Sequence, residues 1–166
     1  NRQLDIKSSN IDKTLSSYKT AYNTTTSIEK SYEKKITKQK VAKGATNKQK
    51  SKFKSLMAKV KSAAKGKKKI SDKTLESIYS YCASVKDFTW YQNAVTYNSS
   101  IEAMDSAKQT YDLYKQTSKK DKREIAKEKF DNVVTEYDNK IGLIDNGITD
   151  IDNKLALTEA KGMLVN

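Results

Sequence analysis

Proline is absent from all 166 residues, and glycine occurs only five times. Without proline, nothing in the backbone forces a helix to stop. With so few glycines, tight β-hairpins lack their usual turn residues. The chain is therefore free to build long helices and poorly equipped to build sheets. Hydrophobic residues make up 36% and charged residues 32%. That balance suits helices that each bury one stripe.

The clearest periodicity lies in the last third. Residues 131–158 read DNVVTEY, DNKIGLI, DNGITDI, DNKLALT, four consecutive heptads that each open on Asp-Asn. Val134, Ile141, Ile148 and Leu155 occupy one seam position; Phe130, Tyr137, Ile144 and Ile151 occupy the other. Steps alternating between three and four residues are the signature of a coiled-coil seam. Asp131, Asp138, Asp145, Asp152 and Glu159 form an acidic row beside it, and Lys140, Lys154 and Lys161 line the other flank. Such rows select which helix packs alongside and in which direction, so lysines of a neighbouring helix are expected against the acids. Gly142 and Gly147 each weaken the helix by about 1 kcal/mol.

A looser stripe, Leu4, Ile11, Leu15, Tyr18, Tyr22, Ile28, Tyr32 and Ile36, predicts a first helix over about residues 3–42, with Gly44 and Asn47 marking a break. Ser71-Asp72 reads as the start of a middle helix over 72–116 with the stripe Leu75, Ile78, Cys82, Val85, Phe88, Tyr91, Val95, Ile101, Met104, Tyr111 and Tyr114. Ser99 and Glu102 could restart it as a capping box. Ser118 could cap a final helix over 119–161, with Asp121 and Glu124 favouring its positive end. The expectation is a single all-α domain over 1–166. It is an elongated antiparallel bundle of three long helices, each about 60 Å at 1.5 Å per residue, with a short basic amphipathic helix over about 46–66.

That basic helix belongs to a segment, 34–70, with no aspartate or glutamate and fifteen lysines: Lys34, Lys35, Lys38, Lys40, Lys43, Lys48, Lys50, Lys52, Lys54, Lys59, Lys61, Lys65, Lys67, Lys68 and Lys69. The segment carries +15 in a chain of net charge +13, so the remaining residues together carry −2. Phe53, Leu56, Met57, Val60, Ala63 and Ala64 share one helical arc, and Lys48, Lys50, Lys52, Lys54, Lys59, Lys61 and Lys65 are expected on the opposite side. Lys48–Lys52, Lys50–Lys54 and Lys61–Lys65 are like-charge pairs one turn apart, each opposing the helix by a few tenths of a kcal/mol. An external anion would supply the missing negative charge. The fifteen lysines are therefore the candidate polyanion-binding residues, forming a basic tip of the bundle.

Lysine acts as a point charge for phosphate or sulfate, whereas base reading favours arginine. The chain has two arginines, neither in the segment, and Phe53 is the segment's only aromatic. The expected partner is nucleic acid bound without sequence preference, then an acidic glycan or an anionic lipid surface. The alternative is a secreted or surface structural or adhesive protein. In that case residues 130–158 assemble with copies of the chain or another helix, and the lysines keep it soluble.

Nothing points to an enzyme. Histidine is absent and Cys82 is the only cysteine; on an apolar stripe, it reads as a buried thiol. Asp145, Asp150 and Asp152 cluster, but a calcium loop starting at Asp150 would need glycine where Leu155 stands. No cofactor and no metal is expected. Phe88, Trp90 and Tyr91 read as core packing, with partner docking as the alternative. Asn23 and Asn98 open Asn-x-Ser/Thr patterns.

Overall fold

The computed structural model describes residues 1–165, with side chains through residue 158. Four helices follow one another: α1 (Arg2–Thr37), α2 (Asn47–Lys65), α3 (Asp72–Val85) and α4 (Thr89–Val165). There is no strand among the described residues, so the chain is all-α. It divides into two compact units, one formed by Asp12–Gln116 and one by Asn1–Ile11 with Thr117–Asn166.

In the Asp12–Gln116 unit, α2 and α3 form an antiparallel hairpin, and Gln49 Nε2 donates to the Ser84 carbonyl across its open end at 3.3 Å. The parts of α1 and α4 in this unit also run antiparallel. Trp90 reaches Ile36, Tyr111 stacks on Tyr22 and Tyr114 meets Tyr18. The core gathers Ile36 from α1, Leu56, Met57 and Val60 from α2, Ile78, Tyr81 and Cys82 from α3, and Trp90, Ala94, Tyr97 and Ile101 from α4. Trp90 is thus a core residue. Phe88 and Tyr79 stay partly exposed and pack on each other, and Tyr91 meets the edge of Tyr79.

In the other unit the start of α1 lies antiparallel to α4. Lys129 forms an ion pair with Asp5, and Asn132 Nδ2 donates to Asn1 Oδ1 at 3.1 Å. Ile11 and Ile125 are buried. From Phe130 to Thr158 every residue is exposed, Asn132 included despite its bond to Asn1.

The helix boundaries differ from the sequence reading in three places, each for a local reason. First, α1 ends at Thr37 instead of continuing to residue 42. The Trp90 indole donates to the Ile36 carbonyl at 3.0 Å, where a helix would place the amide of residue 40. The Ala42 amide then donates to the Tyr81 hydroxyl. Second, the helix expected over 72–116 is interrupted at Lys86–Phe88. Lys86 adopts the left-handed conformation, and Asp87 Oδ1 accepts from both the amide and the hydroxyl of Thr89. Those bonds restart the helix and hold the Asp87 carboxyl below its ordinary range.

Third, no turn separates residues 116 and 119. Ser118 is buried in the interior of α4 and not at a helix start, so the middle and final helices are one. The physical reason is the lack of a breaker: no glycine or proline occurs between Thr89 and Ile141. The polar runs 23–27 and 96–99 stay helical, and their hydroxyls return to the preceding turn. Thr24 and Thr26 bond the carbonyls of Thr20 and Tyr22, and Thr96 and Ser99 bond those of Gln92 and Val95.

Candidate polyanion-binding surface

All fifteen lysines of the 34–70 segment belong to the Asp12–Gln116 unit, and all are exposed. Lys34 and Lys35 sit in the last turn of α1, where their charge complements the helix dipole. Lys35 Nζ also lies 4.4 Å from the centre of the Tyr32 ring. Lys38, Lys40 and Lys43 lie on the connection to α2. Gly44 turns this connection at φ +75°, a conformation that disfavours any other residue. Lys48, Lys50, Lys52, Lys54, Lys59, Lys61 and Lys65 ride on α2, and Lys67, Lys68 and Lys69 on the short link to α3.

Thr46 and Gln49 start α2 with a reciprocal capping box, the Thr46 hydroxyl accepting from the Gln49 amide and the Gln49 side chain from the Thr46 amide. The Thr-x-x-Gln spacing at 46–49 carries that signal in the sequence. The cap is needed, because the first turn holds no acid and two lysines, Lys48 and Lys50. Leu56, Met57, Val60 and Ala64 bury the inner face of the helix.

The lysines do not fill the opposite face, as a simple two-sided helix would have it. By helical spacing Lys48, Lys52 and Lys59 form one row beside the buried stripe, and Lys50, Lys54, Lys61 and Lys65 form the other. Between the rows runs an outer ridge of small residues, Ser51, Ser55, Ala58 and Ser62, all exposed. The first row borders an open groove of about 740 Å³ between α2 and α3, lined by Lys48 and Lys52 with Thr46, Gln49, Ser51, Ser55, Ser80, Tyr81 and Ser84. Lys48 and Lys52 thus stand beside Ser51, Ser55 and Ser80, while the Ser84 hydroxyl donates to the Tyr81 carbonyl.

Two of the fifteen lysines are already matched within the chain. Lys69 pairs with Glu102, and Lys67 pairs with Glu33 and, at 3.4 Å, with Glu29. Lys67 is the more telling. It occupies a left-handed position (φ 53°) after α2, where glycine is the usual residue. Its side chain reaches two carboxylates one turn apart on α1. Glu29 is fully buried, and its Oε1 has no hydrogen-bond partner among the described residues. Burial first, then the adjoining Glu33 carboxyl, push Glu29 above its ordinary value of 4.5, against the pull of Lys67. Partial burial also pushes Glu33 upward, but hydrogen bonds from Lys67 and Glu29 outweigh it and hold Glu33 low. The hydrogen bond to Glu33 raises Lys67. This trio is an internal anchor, and it takes Lys67 out of the free surface.

The link is fixed to α4 from a second direction. Asn98 donates to the Ile70 carbonyl at 2.8 Å and accepts from the Ile70 amide at 2.7 Å, and the Tyr97 hydroxyl donates to the Lys68 carbonyl. The buried Asn98 amide is therefore committed to the fold and is no acceptor for a glycan on the folded chain. Sequence reasoning missed Glu29 by placing Ile28 in the stripe; Ile28 is 46% exposed. The spacing held the clue, since Tyr22, Glu29 and Ile36 are separated by seven residues each.

The other thirteen lysines form no ion pair among the described residues. Cys82 is fully buried, and burial pushes its thiol upward, away from the reactive thiolate. No helix among the described residues is long and apolar enough to cross a membrane. No protein-family model, curated protein or solved structure matches the chain.

Proposed function

We propose that this chain is a non-enzymatic polyanion-binding protein that uses the exposed lysines of residues 34–69, with nucleic acid bound without sequence preference as the leading target. The observation that carries the reading is the contrast among the lysines. Lys67 and Lys69 meet carboxylates of their own chain. The remaining thirteen stand exposed in two rows and along the flanking connections, with no carboxylate in ion-pair range among the described residues. The serine ridge adds hydrogen-bond donors and lets a phosphate backbone approach between the rows. No exposed aromatic lies on that ridge to stack a base, and residues 34–69 contain no arginine to read one.

Burial of Leu56, Met57 and Val60 argues against the reading in which α2 lays its apolar arc into a lipid surface. Those side chains are spent on the core, so an anionic membrane would be met through charge alone.

The test is a binding panel of duplex DNA, RNA, heparin and anionic vesicles, repeated with Lys48, Lys52, Lys59 and Lys61 all replaced by glutamine. Nucleic-acid affinity should fall steeply between about 50 and 200 mM salt, in proportion to the phosphates contacted. The quadruple variant should show weaker binding and a shallower salt slope. Absence of binding to every polyanion at low salt rejects the proposal. Binding to heparin but not to DNA or RNA moves the target to an acidic glycan.

A further inference from the structure

Nothing among the described residues covers the seam on α4. Phe130, Val134, Tyr137, Ile141, Ile144, Ile148, Ile151 and Leu155 are between 41% and 66% exposed. They form one continuous apolar line on a helix that also contains Gly142 and Gly147, with open space where a side chain would stand. A lone helix with an apolar seam and two glycines has no packing to offset its backbone entropy. Its flanks show what can supply that packing.

In heptad terms Val134, Ile141, Ile148 and Leu155 are a positions and Tyr137, Ile144 and Ile151 are d positions. Asp131, Asp138, Asp145 and Asp152 are then e positions, and Val133, Lys140, Gly147 and Lys154 are g positions. When two such helices run parallel and in register, each g residue faces the e residue five places further along its partner. Lys140 then faces Asp145 of the other copy, Val133 faces Asp138 and Gly147 faces Asp152, and no like charges meet. When the helices run antiparallel, e faces e and g faces g. The aspartate row then confronts itself, and Lys140 and Lys154 confront each other or themselves.

We propose that the chain self-assembles through residues 130–158 into a parallel, in-register coiled coil of identical copies. The partner is identified by the flanks: a second copy in the parallel register sets Lys140 against Asp145 and brings no like charges together, and the antiparallel arrangement does neither. Isoleucine at both a and d in the layers Ile141–Ile144 and Ile148–Ile151 favours three strands over two. Leu143 and Leu157 fall outside the seam, and this pairing does not use them. The inference is independent of the polyanion reading, because no lysine of residues 34–69 takes part.

The first test is the solution mass of the whole chain at tens of micromolar by sedimentation equilibrium. The expected result is a multiple of 18.8 kDa, with three chains favoured. Replacing Ile148 and Ile151 together with asparagine should weaken association by at least about tenfold. Fluorescence of Trp90, the sole tryptophan and a core residue of the Asp12–Gln116 unit, reports whether that unit is still folded.

Orientation is read by a charge exchange. Lys140→Glu and Asp145→Lys should each weaken association severalfold, and the two together in one chain should restore it. The exchange restores opposite charges only in the parallel register. Tyr137→Cys should form a disulfide between copies under mild oxidation, with the unsubstituted chain, whose Cys82 is buried, as control. A monomer at these concentrations overturns the proposal. So does an oligomer in which the exchange gives no rescue and Tyr137→Cys gives no link. A parallel dimer upholds the pairing and replaces the strand count.

Discussion

The Asp12–Gln116 core and the 130–158 seam contain the same kinds of apolar residue at the same helical spacing, yet one is covered and the other is bare. In the core, four helical segments present stripes to one another, and Ile36, Leu56, Val60, Ile78, Trp90 and Tyr97 reach nearly complete burial. Along the seam a single helix presents its stripe to solvent. Periodicity therefore fixes which face of a helix is apolar, but it does not say whether the same chain covers that face. The difference predicts unequal responses to the same chemistry. Ile78→Ala should cost the Asp12–Gln116 unit about 2–5 kcal/mol, the sum of lost transfer energy and a cavity. Ile148→Ala should move that unit's unfolding by less than about 0.5 kcal/mol. Denaturant titration followed by Trp90 fluorescence measures both, and equal shifts would erase the distinction between the two regions.

A second contrast lies among the lysines. Lys67 is tied to the buried Glu29 and the partly buried Glu33, and Lys48 through Lys65 are tied to nothing the described residues display. Removing the first kind should hurt the fold. Lys67→Met leaves Glu29 and Glu33 without their cation and should cost about 1–3 kcal/mol at neutral pH, less than a fully buried pair because Lys67 is itself half exposed. The pH dependence has a definite sign. Glu33 is held below 4.5 in the fold, so its contribution is present above that value and is lost as pH falls through the depressed one. Glu29 is raised, so its contribution runs the other way and is lost as pH rises from 4.5 through the raised value. The stability gap between the native chain and Lys67→Met should accordingly be widest near neutral pH and narrow in acid, where both carboxyls are protonated. A gap that stays constant down to acid pH would mean that Lys67 matters for its backbone position and not for its charge.

The same two contrasts explain how much could be read from the residues. The all-α class, the amphipathic α2 and the Ser71 cap were legible, because each rests on local spacing or on one side chain. The break at Lys86–Phe88 was hidden because Val85, Phe88 and Tyr91 keep helical spacing across it, and the left-handed residue there is lysine, not glycine. Restarting at Thr89 resets the phase. The buried line on α4 therefore runs Trp90, Ala94, Tyr97 and Ile101, and Val95, which the uninterrupted stripe had placed inside, is 39% exposed. The end of α1 depends on an indole 54 positions away, and no local pattern encodes that. Among the fifteen lysines, composition located the charge but could not separate Lys67 and Lys69 from the rest, since their carboxylates lie 33 to 38 positions distant.

The smallest effect is also the one that separates stability from binding most cleanly. Lys48 stands in the first turn of α2, beside the positive end of the helix dipole and one turn before Lys52. A chain shaped for stability alone would place an acid there. Lys48→Glu exchanges an unfavourable dipole contact for a favourable one, and it turns a repulsive pair into a Glu–Lys pair in the better orientation. The gain should be about 0.5–1 kcal/mol, visible as a small rise in the unfolding midpoint of the Asp12–Gln116 unit. The same change places a negative charge in the α2–α3 groove that Lys48 shares with Lys52, and polyanion affinity should fall. Opposite movement of the two quantities would mean that the lysine is kept for what it meets outside the fold. If the variant gains stability and loses no affinity for any polyanion, then Lys48 is surface charge and no more, and its row on α2 is not part of the binding face.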